Sequence, residues 1–379
     1  MIRVLSVFGT RPEAIKMAPV IRALKARPGD FESLVCLTAQ HRDMLDQVMQ
    51  CFGLVADYDL DLMRDNQTPA QVAARVLEEL PRVLLDARPH VLLVQGDTMT
   101  TFSAALVAFL NRVPVAHIEA GLRTGNFDQP FPEEMNRVLT SRVAALHFAP
   151  TEAARSALVS EGVDPASVFC TGNTVIDALL HVVDPQHRFA DPTLAARDPT
   201  RPIVLITTHR RESFGPPLES ICSAIEVLAK ELPDHDFILP VHRNPQVRET
   251  VTRRLGQLAN AVLIEPLDYR DFANLMARSR IILTDSGGVQ EEAPSLDVPV
   301  LVLRPVTERP EGVTAGAARL VGTDAGKVVA ATLELLRDGA AYAAMAAVPS
   351  PYGDGRAAER IASALQSRFG GRALARGAA

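Results

Sequence analysis

The sequence predicts an α/β protein made of two Rossmann-like, doubly wound domains. Three observations predict it. Short apolar runs of strand length recur along the chain, each followed by a polar turn and an amphipathic helical stretch, as βαβ units require. That cycle breaks in a proline-rich stretch and then restarts. A length of 379 residues also exceeds what one small core organises, which favours two domains.

In the first half, strands read at Val4 to Phe8, Ser33 to Leu37, Val91 to Gln95, Pro114 to Ile118 and Ala145 to Ala149. Helices follow from Pro12, Asp43, Pro69, Thr100, Pro132 and Thr151. Proline suits the first turn of a helix, where no amide donor is needed. Between Asp184 and Pro202 the pattern gives way to a connector holding Pro185, Pro192, Pro199 and Pro202. Strands then resume at Ile203 to Thr207, Phe237 to Pro240, Val262 to Ile264, Ile281 to Thr284 and Val300 to Leu303. Two similar domains facing a central cleft are the simplest arrangement. The segment 370–379, with its paired glycines, reads as a disordered tail.

Composition narrows the function. The chain is 47% hydrophobic and 22% charged, ordinary for a globular protein. A formal net charge of −6 argues against nucleic acid or an anionic membrane as partner, so an anionic ligand must be met by local devices. No apolar run approaches the roughly 18 residues of a membrane span. Val4-Leu5-Ser6-Val7-Phe8 is too short for a signal-peptide core, so a cytoplasmic location is expected. Cys36, Cys51, Cys170 and Cys222 stand apart without a Cys-x-x-Cys pair, and neither a disulfide framework nor a zinc site is expected.

Three carboxylates carry the chemistry. Asp97 and Glu119 sit directly past apolar strands, and Glu133 follows a proline at a helix start in Phe131-Pro132-Glu133-Glu134-Met135-Asn136-Arg137. The carboxyl ends of parallel strands line the ligand crevice of an open α/β sheet. Three acids sent there repel one another, and acid–base work on a substrate is the economical reason to keep them. Gly9-Thr10-Arg11-Pro12-Glu13-Ala14-Ile15-Lys16 follows the first strand. Arg11 and the helix amides there suit a phosphate, the alternative being a plain turn with a solvent-facing Lys16. No Gly-x-Gly-x-x-Gly or Walker A pattern follows that strand.

The second half offers a matching anion site. In Thr284-Asp285-Ser286-Gly287-Gly288-Val289-Gln290-Glu291-Glu292 a strand ends, Gly287 and Gly288 permit close backbone approach, and a helix opens. The Ser286 hydroxyl and the amides can take a diphosphate, while Glu292 can hold ribose hydroxyls; the alternative is a Gly-Gly turn before an acidic helix start. Arg309 follows the next strand and can add charge neutralisation. His209 ends the strand Ile203 to Thr207 and is a candidate acid or phosphate donor. Asp59-Leu60-Asp61 is similar to a metal-binding Asp-x-Asp, but two aspartates in a loop arise readily by chance, and no metal is expected. Together these features point to an enzyme acting on a nucleotide sugar.

The chain resembles the non-hydrolysing UDP-N-acetylglucosamine 2-epimerases. The resemblance rests on Phe8 to Pro19, Thr38-Ala39-Gln40-His41-Arg42, Gly96-Asp97-Thr98, His117 to Arg123, Asn173 to Asp177, His209-Arg210-Arg211-Glu212, Thr284 to Gly288 and Pro351 to Gly355. It implies a glycosyltransferase-B-type fold, with a first domain over 1–172 rejoined by a final helix at about 356–369, and a UDP-binding domain over 173–355. It also implies a cytoplasmic homodimer that interconverts UDP-GlcNAc and UDP-ManNAc without cofactor or metal, through a 2-acetamidoglucal held beside UDP. Catalytic roles fall on Asp97, Glu119, Glu133 and His209, and substrate contacts on Arg11, Lys16, Phe272, Ser286, Gly287, Gly288, Glu292 and Arg309. A second UDP-GlcNAc, acting as an allosteric activator, falls on Gln40, His41, Arg210 and His242. Gln95, Phe131 and Leu267 depart from the family pattern, which expects His, Trp and Gln there. Rival readings are a retaining glycosyltransferase of the same fold, a nucleotide-sugar sensor without turnover, and an epimerase of a uronic acid or 6-deoxy relative.

Overall fold

A computed structural model describes the chain except Gln40, His41, Met63, Asp65, Asn66, Arg211, Glu212 and 377–379, and except the side chains of 42–44 and 372–376. The chain forms two compact units, Met1–Ala178 with Gly353–Ala379, and Leu179–Tyr352. The sequence reading sets the divisions at 172/173 and 355/356, a few residues from these.

The first unit holds seven strands: β1 Ile2–Phe8, β2 Phe31–Leu37, β3 Tyr58–Asp59, β4 Val91–Gln95, β5 Val115–Ile118, β6 Leu146–Ala149 and β7 Val168–Cys170. They pair in the order β3-β2-β1-β4-β5-β6-β7, every pair parallel. Chain order runs outward from β1 on one side and from β4 on the other, so β1 and β4 flank the topological switch point. Val91, Leu92, Leu93 and Val94 are all fully buried, because a central parallel strand is covered on both faces.

The second unit repeats the plan with β8 Ile203–Thr207, β9 Asp236–Pro240, β10 Ala261–Ile264, β11 Ser279–Thr284, β12 Val300–Val302 and β13 Ala318–Leu320. Their order is β10-β9-β8-β11-β12-β13, again parallel throughout. The switch point falls between β8 and β11. Phe237, Ile281, Leu301, Leu228 and Leu255 pack the strands against their flanking helices.

Where sequence and structure differ, the cause is local. The strands β3, β7 and β13 escape the sequence reading; each has only two or three residues and lies at a sheet edge. The helix Ala357–Arg376 runs past 370, where a disordered tail is expected. It passes through Gly370 and Gly371 into Arg372-Ala373-Leu374-Ala375-Arg376, a run of strong helix formers. The same helix packs on Arg11–Lys25, and Asp177 accepts the Ala357 and Ala358 amides at 3.2 and 2.8 Å, capping its start. Among the described residues no helix is long and apolar enough to cross a membrane.

Candidate active site

In the first unit the polar residues gather where β1, β4 and β5 end, at and beside the switch point, where ligands of open α/β sheets bind. The turn after β1 is built tightly. A Cβ on Gly9 would stand 1.9 Å from Thr38 Oγ1, so only glycine fits. Glu13, buried in the first helical turn, accepts the Gly9 and Thr10 amides at 3.1 and 2.8 Å and the Thr98 hydroxyl at 2.7 Å. It ties the β1 turn to the β4 turn, and burial raises its pKa despite those donors. Among the described residues none pairs with the Arg11 guanidinium.

Glu119 lies just past β5, in the left-handed region at φ 63°. Its buried carboxylate receives the Lys16 ammonium and the Gln95 amide, and Asn173 Nδ2 at 3.1 Å. Asp97 follows β4 two residues on. Its carboxylate pairs with Arg137 at 2.7 Å, and its carbonyl accepts Asn136 Nδ2 at 2.8 Å. Burial raises the Asp97 pKa, Arg137 opposes that, and the nearby Glu119 charge adds to it.

Glu133 and Glu134 open the helix Glu133–Val143 and have different duties. Glu134 is buried, accepts the Thr124 and Gly125 amides at 2.9 Å each, and pairs with Arg137 at 3.1 Å. Glu133 is half-buried, and among the described residues no side chain or amide engages its carboxylate. The structural acid is therefore Glu134, which leaves Glu133 available for a ligand.

In the second unit His209 follows β8, and the segment Asp285–Glu292 follows β11, the two strands at the switch point. Arg210 Nε donates to the Asp285 carbonyl at 3.1 Å, and its Nη1 pairs with Glu308 at 3.3 Å. Arg309 pairs with the buried Glu291. A Cβ placed on Gly287 would lie 3.7 Å from Arg210 and 3.8 Å from Arg309, so both guanidiniums flank the glycine start of the helix Gly287–Glu292. Ser286 caps that helix without committing its hydroxyl to a cap. Tyr269 donates to Glu292 at 2.8 Å, which orients that carboxylate. Phe272 and Leu267 are half-buried, and His242 is exposed after β9, accepting the Asn244 amide at 3.1 Å.

The structure thus gathers Arg11, Lys16, Asp97 and Glu119 at one sheet edge, and His209, Arg210, Ser286, Gly287, Gly288, Glu292 and Arg309 at another. Gln40 and His41 lie outside the described residues. Sequence reasoning misses Arg137, Asn173 and Asp285 as partners of the predicted acids and histidine. Of the departures, Gln95 donates directly to Glu119, and Phe131 is largely exposed beside Glu133. Asp59 Oδ1 accepts the Asp61 amide at 3.1 Å, a local turn contact.

Two parallel α/β units of this topology define a glycosyltransferase-B-type fold. A family model described as UDP-N-acetylglucosamine 2-epimerase matches residues 22–366. The UDP-N-acetylglucosamine 2-epimerase of Escherichia coli K12 is 52% identical over 372 residues, covering 96% of this chain and 98% of that protein. A solved structure of a putative UDP-N-acetylglucosamine 2-epimerase from Listeria monocytogenes has a TM-score of 0.92 at 45% identity, covering 97% of this chain and 96% of the other. The Neisseria meningitidis UDP-GlcNAc 2-epimerase bound to UDP-GlcNAc has a TM-score of 0.86 at 45% identity, covering 97% and 100%. The chain belongs to the UDP-N-acetylglucosamine 2-epimerase family, which places it among the isomerases.

Proposed function

We propose that this chain interconverts UDP-GlcNAc and UDP-ManNAc by elimination and re-addition of UDP. The observation that carries the reading is the set of acids around the first unit's switch point, with Glu119 clasped by Lys16, Gln95 and Asn173. A binding module has no use for such a set, and family membership supports epimerisation over glycosyl transfer.

The sugar C2 hydrogen lies next to no carbonyl, so simple deprotonation is unfavourable. Breaking the C1–O bond while a carboxylate takes the C2 proton removes that difficulty. The C–H electrons become the C1=C2 double bond of 2-acetamidoglucal, and UDP leaves with the C1–O pair. UDP oxygen then re-adds to C1 as a proton reaches the opposite face of C2. Asp97, Glu119 and Glu133 divide the base, acid and charge-stabilising roles. Arg11, Lys16, His209, Arg309 and the Ser286-Gly287-Gly288 helix start offset charge on the departing diphosphate. Glu292 and Phe272 serve the nucleoside. No step needs a metal or nicotinamide.

The test is an NMR time course of the purified protein with UDP-GlcNAc alone. UDP-ManNAc resonances growing to a stable ratio are the expected result. Release of free sugar, or no change without an acceptor, would contradict the reading.

A second UDP-GlcNAc at Gln40, His41, Arg210 and His242 is supported by residue type, since amide, imidazole and guanidinium groups suit sugar hydroxyls and a diphosphate. A homodimer is supported by exposed Leu77, Leu85, Phe109, Leu110 and Leu139 on three helices of the first unit, Pro69–Ala87, Met99–Leu110 and Glu133–Val143. The middle helix packs on both others.

A further inference from the structure

His209 has a fully buried carboxylate behind it that the reaction above does not use. Strands β8 and β11 are neighbours, with Thr207 paired to Thr284, so the residues after each strand meet. Asp285, 0% exposed, accepts the His209 amide at 3.1 Å, the Arg210 amide at 3.1 Å and the Ser213 hydroxyl at 2.8 Å. His209 Nδ1 lies 3.1 Å from Asp285 Oδ1, while the imidazole side chain remains 47% exposed. A carboxylate has about four lone-pair sites, and these four donors fill them.

We propose that Asp285 is the positioning residue for His209, keeping a proton on Nδ1 so that Nε2 is the atom offered to the departing diphosphate. The inference rests on the reading of His209 given above. Burial alone would raise the Asp285 pKa, but the His209 imidazole, the Arg210 amide and the Ser213 hydroxyl hold it below the usual aspartate value. An ionised carboxylate only accepts, so the ring nitrogen facing it must carry hydrogen. The ring then cannot turn Nδ1 outward without losing that bond. When Nε2 is also protonated and donates to a phosphate oxygen, the anion beneath faces the imidazolium charge, the logic of carboxylate–histidine pairs in catalysis. The Asp285 carbonyl holds Arg210 Nε at 3.1 Å, so one residue orients both groups beside the Gly287 helix start.

The experiment is a double-mutant cycle of Asp285→Asn with His209→Gln, read as kcat and KM for UDP-GlcNAc epimerisation, with 15N NMR of the imidazole. Asp285→Asn should lower kcat about 100-fold and leave KM within a few-fold, on the scale of losing a general acid. In the His209→Gln background the same change should cost less than about threefold more, because the two residues act as one unit. The wild-type spectrum should show a protonated Nδ1, and Asp285→Asn should lose that signature. Equal losses in both backgrounds would assign Asp285 a merely structural duty and overturn the inference while His209 kept its role. Wild-type kcat in His209→Gln would overturn the reading of His209 and this inference with it. Should Asp285→Asn fail to fold, the wild-type spectrum decides alone: an unprotonated Nδ1 contradicts the proposal.

Discussion

Lys16 and Glu119 form an ion pair almost withdrawn from water, their side chains 15% and 7% exposed. The lysine comes from the helix after β1 and the glutamate from the turn after β5, so the pair spans the central strand β4. Glu119 also sits at φ 63°, a conformation costing a non-glycine residue about 1–3 kcal/mol. Such strain persists where the surroundings over-determine it, and here Gln95 and Asn173 complete the clasp.

Lys16→Met should therefore do double damage. Stability should fall by about 3–5 kcal/mol, the scale of leaving one partner of a buried pair uncompensated. Turnover in the variant that remains folded should fall at least about 100-fold, because the acid it holds is misplaced. Thermal melts and steady-state rates check both, and unchanged kcat would detach Lys16 from the chemistry.

The acids should separate by duty. Asp97→Asn, Glu119→Gln and Glu133→Gln should each lower kcat about 100-fold or more with smaller effects on KM. Glu134→Gln should instead destabilise the fold by about 1–3 kcal/mol, since it weakens buried hydrogen bonds to Thr124 and Gly125. Asp59→Asn is the silent control. Activity lost in Asp59→Asn and restored by a divalent metal would reverse the metal-free reading.

This division shows what a sequence reveals and what it hides. Asp97, Glu119 and Glu133 are legible because strand ends and a Pro-Glu helix start mark them in one dimension. Nothing local distinguishes Glu133 from Glu134, because the difference lies in the Thr124–Gly125 amides and in Arg137. Asn173 reaches Glu119 across 54 positions, and Asp285 reaches His209 across 76, so no spacing rule announces either. The ten strands longer than three residues or central in a sheet read well; β3, β7 and β13 are too short for an apolar pattern to show.

Acid should weaken the fold through two buried histidines. Burial lowers the pKa of His117, whose Nε2 meets the Gly96 carbonyl at 2.7 Å, to about 3, and that of His147 to about 4. The unfolded chain binds these protons near the ordinary value of 6.5, so between the two values it holds more protons than the folded chain. Stability thus rises with pH across that window and is lost as pH falls from about 6.5 toward 4. Melting temperature against pH should show this slope, and His117→Gln should reduce it, leaving the share that His147 contributes. A flat profile in the wild type would contradict the account.

The proposed control by a second nucleotide sugar predicts its own signature. Conversion of pure UDP-ManNAc should lag until a little UDP-GlcNAc is added, and Gln40→Ala or His242→Ala should blunt the stimulation that this addition gives. Immediate full-rate conversion without activator would remove this control from the account.

The most direct test of the central claim is mass spectrometry of nucleotide sugar recovered after turnover in heavy water. The elimination route passes through a species without the C2 hydrogen, so one solvent deuterium should appear at C2 of the UDP-ManNAc formed. Epimerised product without label would contradict that route.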